Sequence, residues 1–184
     1  MRATQAGQSA LLLLDVVQRL TEEHLEYIVV GAMAASAHGV VRASLDADAV
    51  AFVSPETARK LVNRFKERGL AASLRIGEDE DPIGALLAVE DKYGNRVDLL
   101  IGLRGLERSA LTRAIAVPFQ GSSIVVLSRE DFIATKLFAG GPQCLADARA
   151  AIDIDPASLD RGLLQNLADH YGRETRARLD ELMD

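Results

Sequence analysis

Residues 45–53 read Leu-Asp-Ala-Asp-Ala-Val-Ala-Phe-Val, so two aspartates two positions apart stand inside an otherwise apolar run. An apolar run of this length and make-up predicts a strand. In a strand, side chains at i and i+2 point to the same face, so Asp46 and Asp48 share one. Two carboxylates side by side repel each other and lose solvation on burial, so something positive should compensate them. A magnesium ion would do so, because it takes oxygen ligands and often uses one or two carboxylates with substrate phosphates. A pair of aspartates at a turn or a solvated strand edge is the alternative that spacing alone leaves open.

Asp98 stands in a second candidate strand, Arg96 to Ile101, as the one acid of an otherwise apolar stretch. If that strand lies beside the first, three carboxylates meet. Such a set can hold two metals that clamp the attacking and leaving oxygens of a phosphoryl transfer.

The rest of the chain supplies a frame. Leu13, Val16, Val17, Leu20 and Leu25 recur at helical spacing over residues 9–26. Tyr27 to Val30 is a short apolar run closed by Gly31, which predicts a buried strand. Ala32 to His38 is small and helix-compatible, with Gly39 as its stop. Ser54 and Pro55 open a helix that Gly69 ends. Residues 85–90 and 96–101 flank a hairpin turn over Asp91 to Asn95. Residues 105–112 suggest a short helix, and 114–117 and 123–127 further strands. Ser128-Arg129-Glu130-Asp131 is a helix start with acids at the positive end. That helix runs to Ala139, and helices over 142–152, 156–169 and 173–183 follow. The expectation is an α+β chain on a mixed sheet, with residues 1–127 as the sheet-bearing core and 128–184 as a helical part packed on it.

Composition narrows the function classes. Hydrophobic residues make up 48% of the 184, enough for a real core, and aromatics only 4% with no Trp. The net charge of −6 argues against indiscriminate nucleic-acid binding, which needs broad positive charge. From Lys92 to Arg113, however, five basic residues face two acids, while Cys144 to the end holds nine acids and five Arg. A basic middle suits a phosphate-bearing ligand, and solvated helix faces give the same pattern. Cys144 is the one cysteine, which excludes a disulfide framework and a Cys-rich zinc site. The N-terminal apolar run, Ala10 to Leu14, is too short for a signal core, and no stretch approaches a membrane span, so a cytoplasmic protein is expected.

The segment from Val30 to Asp48 combines a strand, Gly31, a short helix and a strand with Asp-x-Asp. This order resembles the nucleotidyltransferase superfamily, the polymerase-beta-like fold. Ser36-Ala37-His38-Gly39, Arg42 and Ser44 to Asp48 are similar to a stretch of the bacterial nucleotidyltransferase-like proteins related to abortive-infection toxins. Val97 to Leu100 and the helix Ser128 to Ala139 match two later pieces, so the resemblance spans residues 10–155. It implies a nucleotidyltransferase-like mixed sheet flanked by helices. It further implies transfer of a nucleoside monophosphate from a nucleoside triphosphate to an acceptor hydroxyl on an RNA end, a protein or a small molecule such as an aminoglycoside. In that reading Asp46 and Asp48 bind magnesium, and Asp98 binds metal or acts as base. Gly31 and the Ala32 amide hold phosphate, Lys136 reaches the nucleotide phosphates, and Asp147 supports that site. Arg42 could stabilise transition-state charge.

The chain also departs from the pattern. Ala32 stands where Gly or Ser is common, and Gln143 and Cys144 stand where a Lys-Asp pair is usual. These departures favour a second reading, a nucleotide-binding or partner-binding module of weak or lost catalysis, for example in a toxin–antitoxin pair. Residue chemistry leaves three further choices open. Arg42 can instead pair with a neighbouring acid. Lys136 can snorkel from an apolar helix face. His38 can pack or cap rather than touch a ligand.

Overall fold

The computed structural model describes residues 2–183, and among them eight helices accompany one seven-stranded sheet of order β3-β4-β5-β2-β1-β7-β6. Helix α1 (Ser9–Glu22) buries Leu12, Leu13, Val16, Val17 and Leu20. It stops short of residue 26 because His24 adopts φ +56° and the Leu25 amide folds back on the Leu20 carbonyl at 2.8 Å. That is a helix-terminating geometry.

Strand β1 (Tyr27–Val29) is buried throughout and runs antiparallel to β2 (Asp46–Ala51) and parallel to β7 (Ser122–Val126). Between β1 and β2 lies the short helix α2 (Gly31–Ala37). Helix α3 (Pro55–Glu67) begins as expected: the Ser54 hydroxyl accepts the Thr57 amide at 3.2 Å and Pro55 takes the first helical position. Strands β4 (Ile83–Glu90) and β5 (Arg96–Leu103) form the hairpin read from Asp91 to Asn95, with Gly94 at φ +78°.

Alternation builds two faces. Ala85, Leu87 and Val89 of β4, Val97, Leu99 and Ile101 of β5, and Ala47, Ala49 and Ala51 of β2 are buried. Helices α1 and α3 contact these strands. Asp48, Asp98 and Leu100 alternate with those core positions and so lie on the opposite face.

Three further differences from the sequence-based expectation have physical causes. Strand β3 (Ala71–Ile76) was not expected; it is an edge strand that buries only Ala72, and its pairing with β4 sets it. Helix α4 is only Ala110–Arg113; Gly105 takes φ +80°, outside helical geometry, where an added Cβ would run into the Tyr171 ring. Helix α7 (Arg161–Tyr171) starts five residues later than 156, where the Asp160 carboxylate accepts the Leu163 amide at 2.9 Å. The hairpin of β6 (Ile115–Phe119) and β7 closes the other sheet edge. Helices α5 (Arg129–Ala139), α6 (Pro142–Ile154) and α8 (Arg173–Met183) complete the chain. Among the described residues no helix is long and apolar enough to cross a membrane.

Candidate active site

Strands β2 and β5 are neighbours and parallel, with Asp48 paired to Asp98 and Asp46 to Arg96. Residues so paired lie about 4.8 Å apart across the sheet, with side chains on one face. Asp46 is exposed at the start of β2; Asp48 and Asp98 are half-buried. Burial pushes the Asp48 carboxyl above its ordinary range, and the charges of Asp98 and Asp46 push it further, against the pull of Lys136 and Arg42. A group in this position favours a proton or a cation beside it.

Gly31 fits against this carboxylate. Its φ is +63°, and a Cβ placed there would stand 2.1 Å from Asp48 Oδ2. The Val30 amide donates to the Asp48 carbonyl at 3.0 Å. The turn from β1 into α2 therefore presses its backbone onto Asp48, and only a residue without a side chain permits this.

Asp98 carries a partner that the sequence reading missed. Arg96 grips it with two hydrogen bonds, Nε to Oδ1 at 2.8 Å and Nη2 to Oδ2 at 3.2 Å. The signal was available: Arg96 and Asp98 are two apart on one strand, the same spacing that puts Asp46 beside Asp48. Among the described residues no group of three or more His, Cys, Asp or Glu side chains is disposed to hold a metal ion. Asp98 is committed to Arg96. The donors themselves suit a hard cation, being carboxylates on adjacent strands with one of them held above its usual titration range.

A second polar cluster joins helix to loop. Asp147 on α6 is buried and accepts from Lys136 Nζ at 2.9 Å, from Arg42 Nη1 at 2.9 Å and from Gln143 Nε2 at 2.9 Å. Burial works against its charge, but the hydrogen bonds from Lys136 and Gln143, with the charges of Lys136 and Arg42, hold its carboxyl below the usual range. Lys136 is therefore no snorkelling lysine: it is buried, with its ammonium 5.4 Å from the Phe132 ring centroid. Arg42 has the neighbouring acid that was its alternative. Gln143, read as a departure, is a ligand of the same carboxylate. His38 caps α2, and its Nε2 lies 2.7 Å from the Leu127 carbonyl oxygen, so it is a packing and tethering residue here.

Two cavities flank the aspartate pair. One of about 400 Å³ lies between the sheet and helices α5 to α7, with Gly31, Asp48, Leu100, Lys136, Phe138 and Tyr171 among its walls. A smaller one of about 120 Å³ adjoins Asp46 and is lined by Ala32, Ser36, Arg42 and Ser44. Asp48 and Lys136 thus share a cavity, as do Asp46, Ala32 and Arg42, whereas Asp98 and Asp147 line neither of the two.

No family model matches the chain, and no curated protein matches its sequence. Solved structures do match in fold. ANT(2″)-Ia in complex with adenylyl-2″-tobramycin superposes with a TM-score of 0.61 at 16% identity, over 88% of this chain and 97% of that one. An antigenic nucleotidyltransferase-like protein from Paracoccidioides brasiliensis gives 0.55 at 14% identity, over 98% and 94%. The lincosamide antibiotic adenylyltransferase LnuA, lincomycin-bound, gives 0.52 at 10% identity, over 83% and 99%. The chain has the nucleotidyltransferase fold, with its mixed sheet and trailing helices.

Proposed function

We propose that this chain, which has the nucleotidyltransferase fold, transfers a nucleoside monophosphate from a nucleoside triphosphate to an acceptor hydroxyl. The observation that carries this reading is the register of Asp48 with Asp98 on adjacent parallel strands, with Asp46 on the same face and the Gly31 turn pressed against Asp48. In this reading Asp46 and Asp48 hold magnesium, which supplies the positive charge that the transferring phosphoryl group needs, and Asp98 either joins them or serves as the base.

The protein's own groups do the rest. Gly31 and Ala32 offer backbone amides at the start of α2. Lys136 and Arg42 bring positive charge towards Asp48, and Asp147 holds both in place. Asp98, once released by Arg96, takes the proton of the acceptor hydroxyl. The acceptor oxygen then bonds to the α-phosphorus, the bond from that phosphorus to the bridging oxygen breaks, and pyrophosphate leaves. The metal half of the site belongs to residues 1–127. Lys136 and Asp147 come from residues 128–184. We place the reaction in the cytoplasm, where nucleoside triphosphates are plentiful.

A second reading is favoured by one observation: Arg96 occupies both oxygens of Asp98. A chain in which that pair never opens would bind nucleotide, or a protein partner such as an antitoxin, without turnover. The test is incubation with each nucleoside triphosphate labelled at the α-phosphate, with magnesium and fractionated cellular RNA, protein and small molecules. Label transfer that Asp48→Ala abolishes is expected. Transfer that survives this substitution overturns the mechanism. Magnesium-dependent nucleotide binding without transfer selects the second reading.

A further inference from the structure

The cavity against Asp48 has unusual walls for a site expected to handle charged substrates. Val30, Ile83, Leu100, Leu103, Phe138 and Tyr171 make most of it, with Pro82, Ala139 and Cys144. Its charged side chains are Asp48 and Lys136, and Lys136 is already bonded to Asp147. Thr135 also lines it, but its hydroxyl is donated to the Phe132 carbonyl at 2.8 Å. Resting on the proposed transferase activity, we infer that this cavity receives the acceptor, and that the acceptor is a small, uncharged, mostly apolar molecule bearing a hydroxyl.

Each alternative occupant meets a physical obstacle. A polycation needs carboxylates along its length, and among the described residues Asp48 is the one carboxylate in the walls. The acids Glu78 to Asp81 of the β3–β4 loop do not line the cavity, and Arg104 sits against the carbonyls of Asp79, Glu80 and Asp81. A nucleic-acid end needs unpaired positive charge along its backbone, and Lys136, the one cation among the described walls, is bonded to Asp147. A nucleobase has polar edges on several sides. Burying them where Lys136 and Thr135 are already bonded, and where the Tyr171 hydroxyl is the one side-chain hydroxyl among the described walls without a partner, costs more than burying a hydrocarbon face. Most polar side chains suited to a phosphate, Arg42, Ser36 and Ser44, gather round the smaller cavity at Asp46, while Gly31 and Lys136 border the larger one beside Asp48. Asp46 and Asp48 then stand between a polar side and an apolar one, as a bond between a phosphate and an apolar alcohol requires. A volume of about 400 Å³ falls within the range of small-molecule sites.

The test uses 2-(1-naphthyl)ethanol, an uncharged apolar alcohol with its own fluorescence, against tobramycin as a polycation. The full chain should bind the naphthyl alcohol with a Kd of about 1 mM or tighter, and tobramycin with no affinity that depends on the cavity. Cys144→Trp, which fills the cavity from α6, should weaken the alcohol by about tenfold or more and leave the magnesium–nucleotide Kd within about twofold. Ala139→Trp, at an exposed position of the same wall, is the second filler if Cys144→Trp does not fold. Three results overturn the inference: no alcohol binding by the wild-type chain, tobramycin binding that the fillers weaken, or loss of nucleotide binding in step with the alcohol. The last would make the cavity the base pocket. If the wild-type chain binds the alcohol but no magnesium–nucleotide, the transferase reading fails and the apolar ligand class stands.

Discussion

Gly31→Ala tests how tightly the β1–α2 turn and Asp48 are coupled. The new methyl carbon would sit 2.1 Å from Asp48 Oδ2, 2.9 Å from its Cγ and 3.0 Å from its Cβ. Two costs follow. Alanine at φ +63° gives up about 1–2 kcal/mol for a left-handed conformation. The carboxylate must also rotate away from the methyl, into a poorer rotamer, for about 0.5–1.5 kcal/mol. The sum is about 1.5–3.5 kcal/mol, or a Tm lower by roughly 3–14 °C for a chain of this length. The assay is urea unfolding of four proteins: wild type, Gly31→Ala, Asp48→Ala and the double variant. Asp48→Ala removes the two nearest clashing atoms. In that background Gly31→Ala should cost mainly the backbone part, with the Cβ contact at 3.0 Å remaining, leaving a coupling of about 1 kcal/mol. Equal costs in both backgrounds would refute the close approach of the turn to the carboxylate.

Other expectations concern the charged groups around the site and one buried hydroxyl. Arg96→Met removes the competitor for Asp98, so manganese, used as a magnesium probe in calorimetry, should bind about two- to fivefold tighter; weaker binding would mean that Arg96 helps the cation. Asp147 has a folded pKa below its unfolded value of 3.8, so its contribution to stability is present above that pH and fades as pH falls through the folded value. Asp147→Asn should therefore cost about 2–4 kcal/mol at pH 7, with the gap to wild type narrowing below pH about 4 in acid unfolding. A constant gap would rule out the ionised carboxylate as the source. Tyr171 has a buried hydroxyl with no partner among the described residues, so Tyr171→Phe should leave stability unchanged or raise it by up to about 1 kcal/mol by urea unfolding; a clear loss would show a hidden partner.

Much of this arrangement was legible because it depends on local pattern. Asp46, Asp48 and Asp98 could be placed on strand faces from alternation alone. The Ser54-Pro55 start of α3 and the Asp91–Asn95 turn are carried by residues within one or two turns of chain. What escaped the sequence depends on distance. β3 is weak in itself and exists by pairing with β4. The partners of Asp147 come from three places, Arg42 being 105 residues away. No periodicity links residues so far apart, and so the choice between a snorkelling Lys136 and a buried one stayed open. Arg96 is a different case. Its spacing to Asp98 was visible, but an arginine at a strand start reads as solvated until the carboxylate beside it is known to be half-buried.

The paired aspartates matter most through one property, whether they hold a cation together with a nucleotide. Manganese titration in the presence of a non-hydrolysable nucleoside triphosphate analogue measures this directly, for the wild-type chain, Asp48→Asn and Asp98→Asn. The account predicts nucleotide-dependent manganese binding that Asp48→Asn weakens by about tenfold or more and Asp98→Asn also reduces. Binding of equal strength in all three proteins would contradict it.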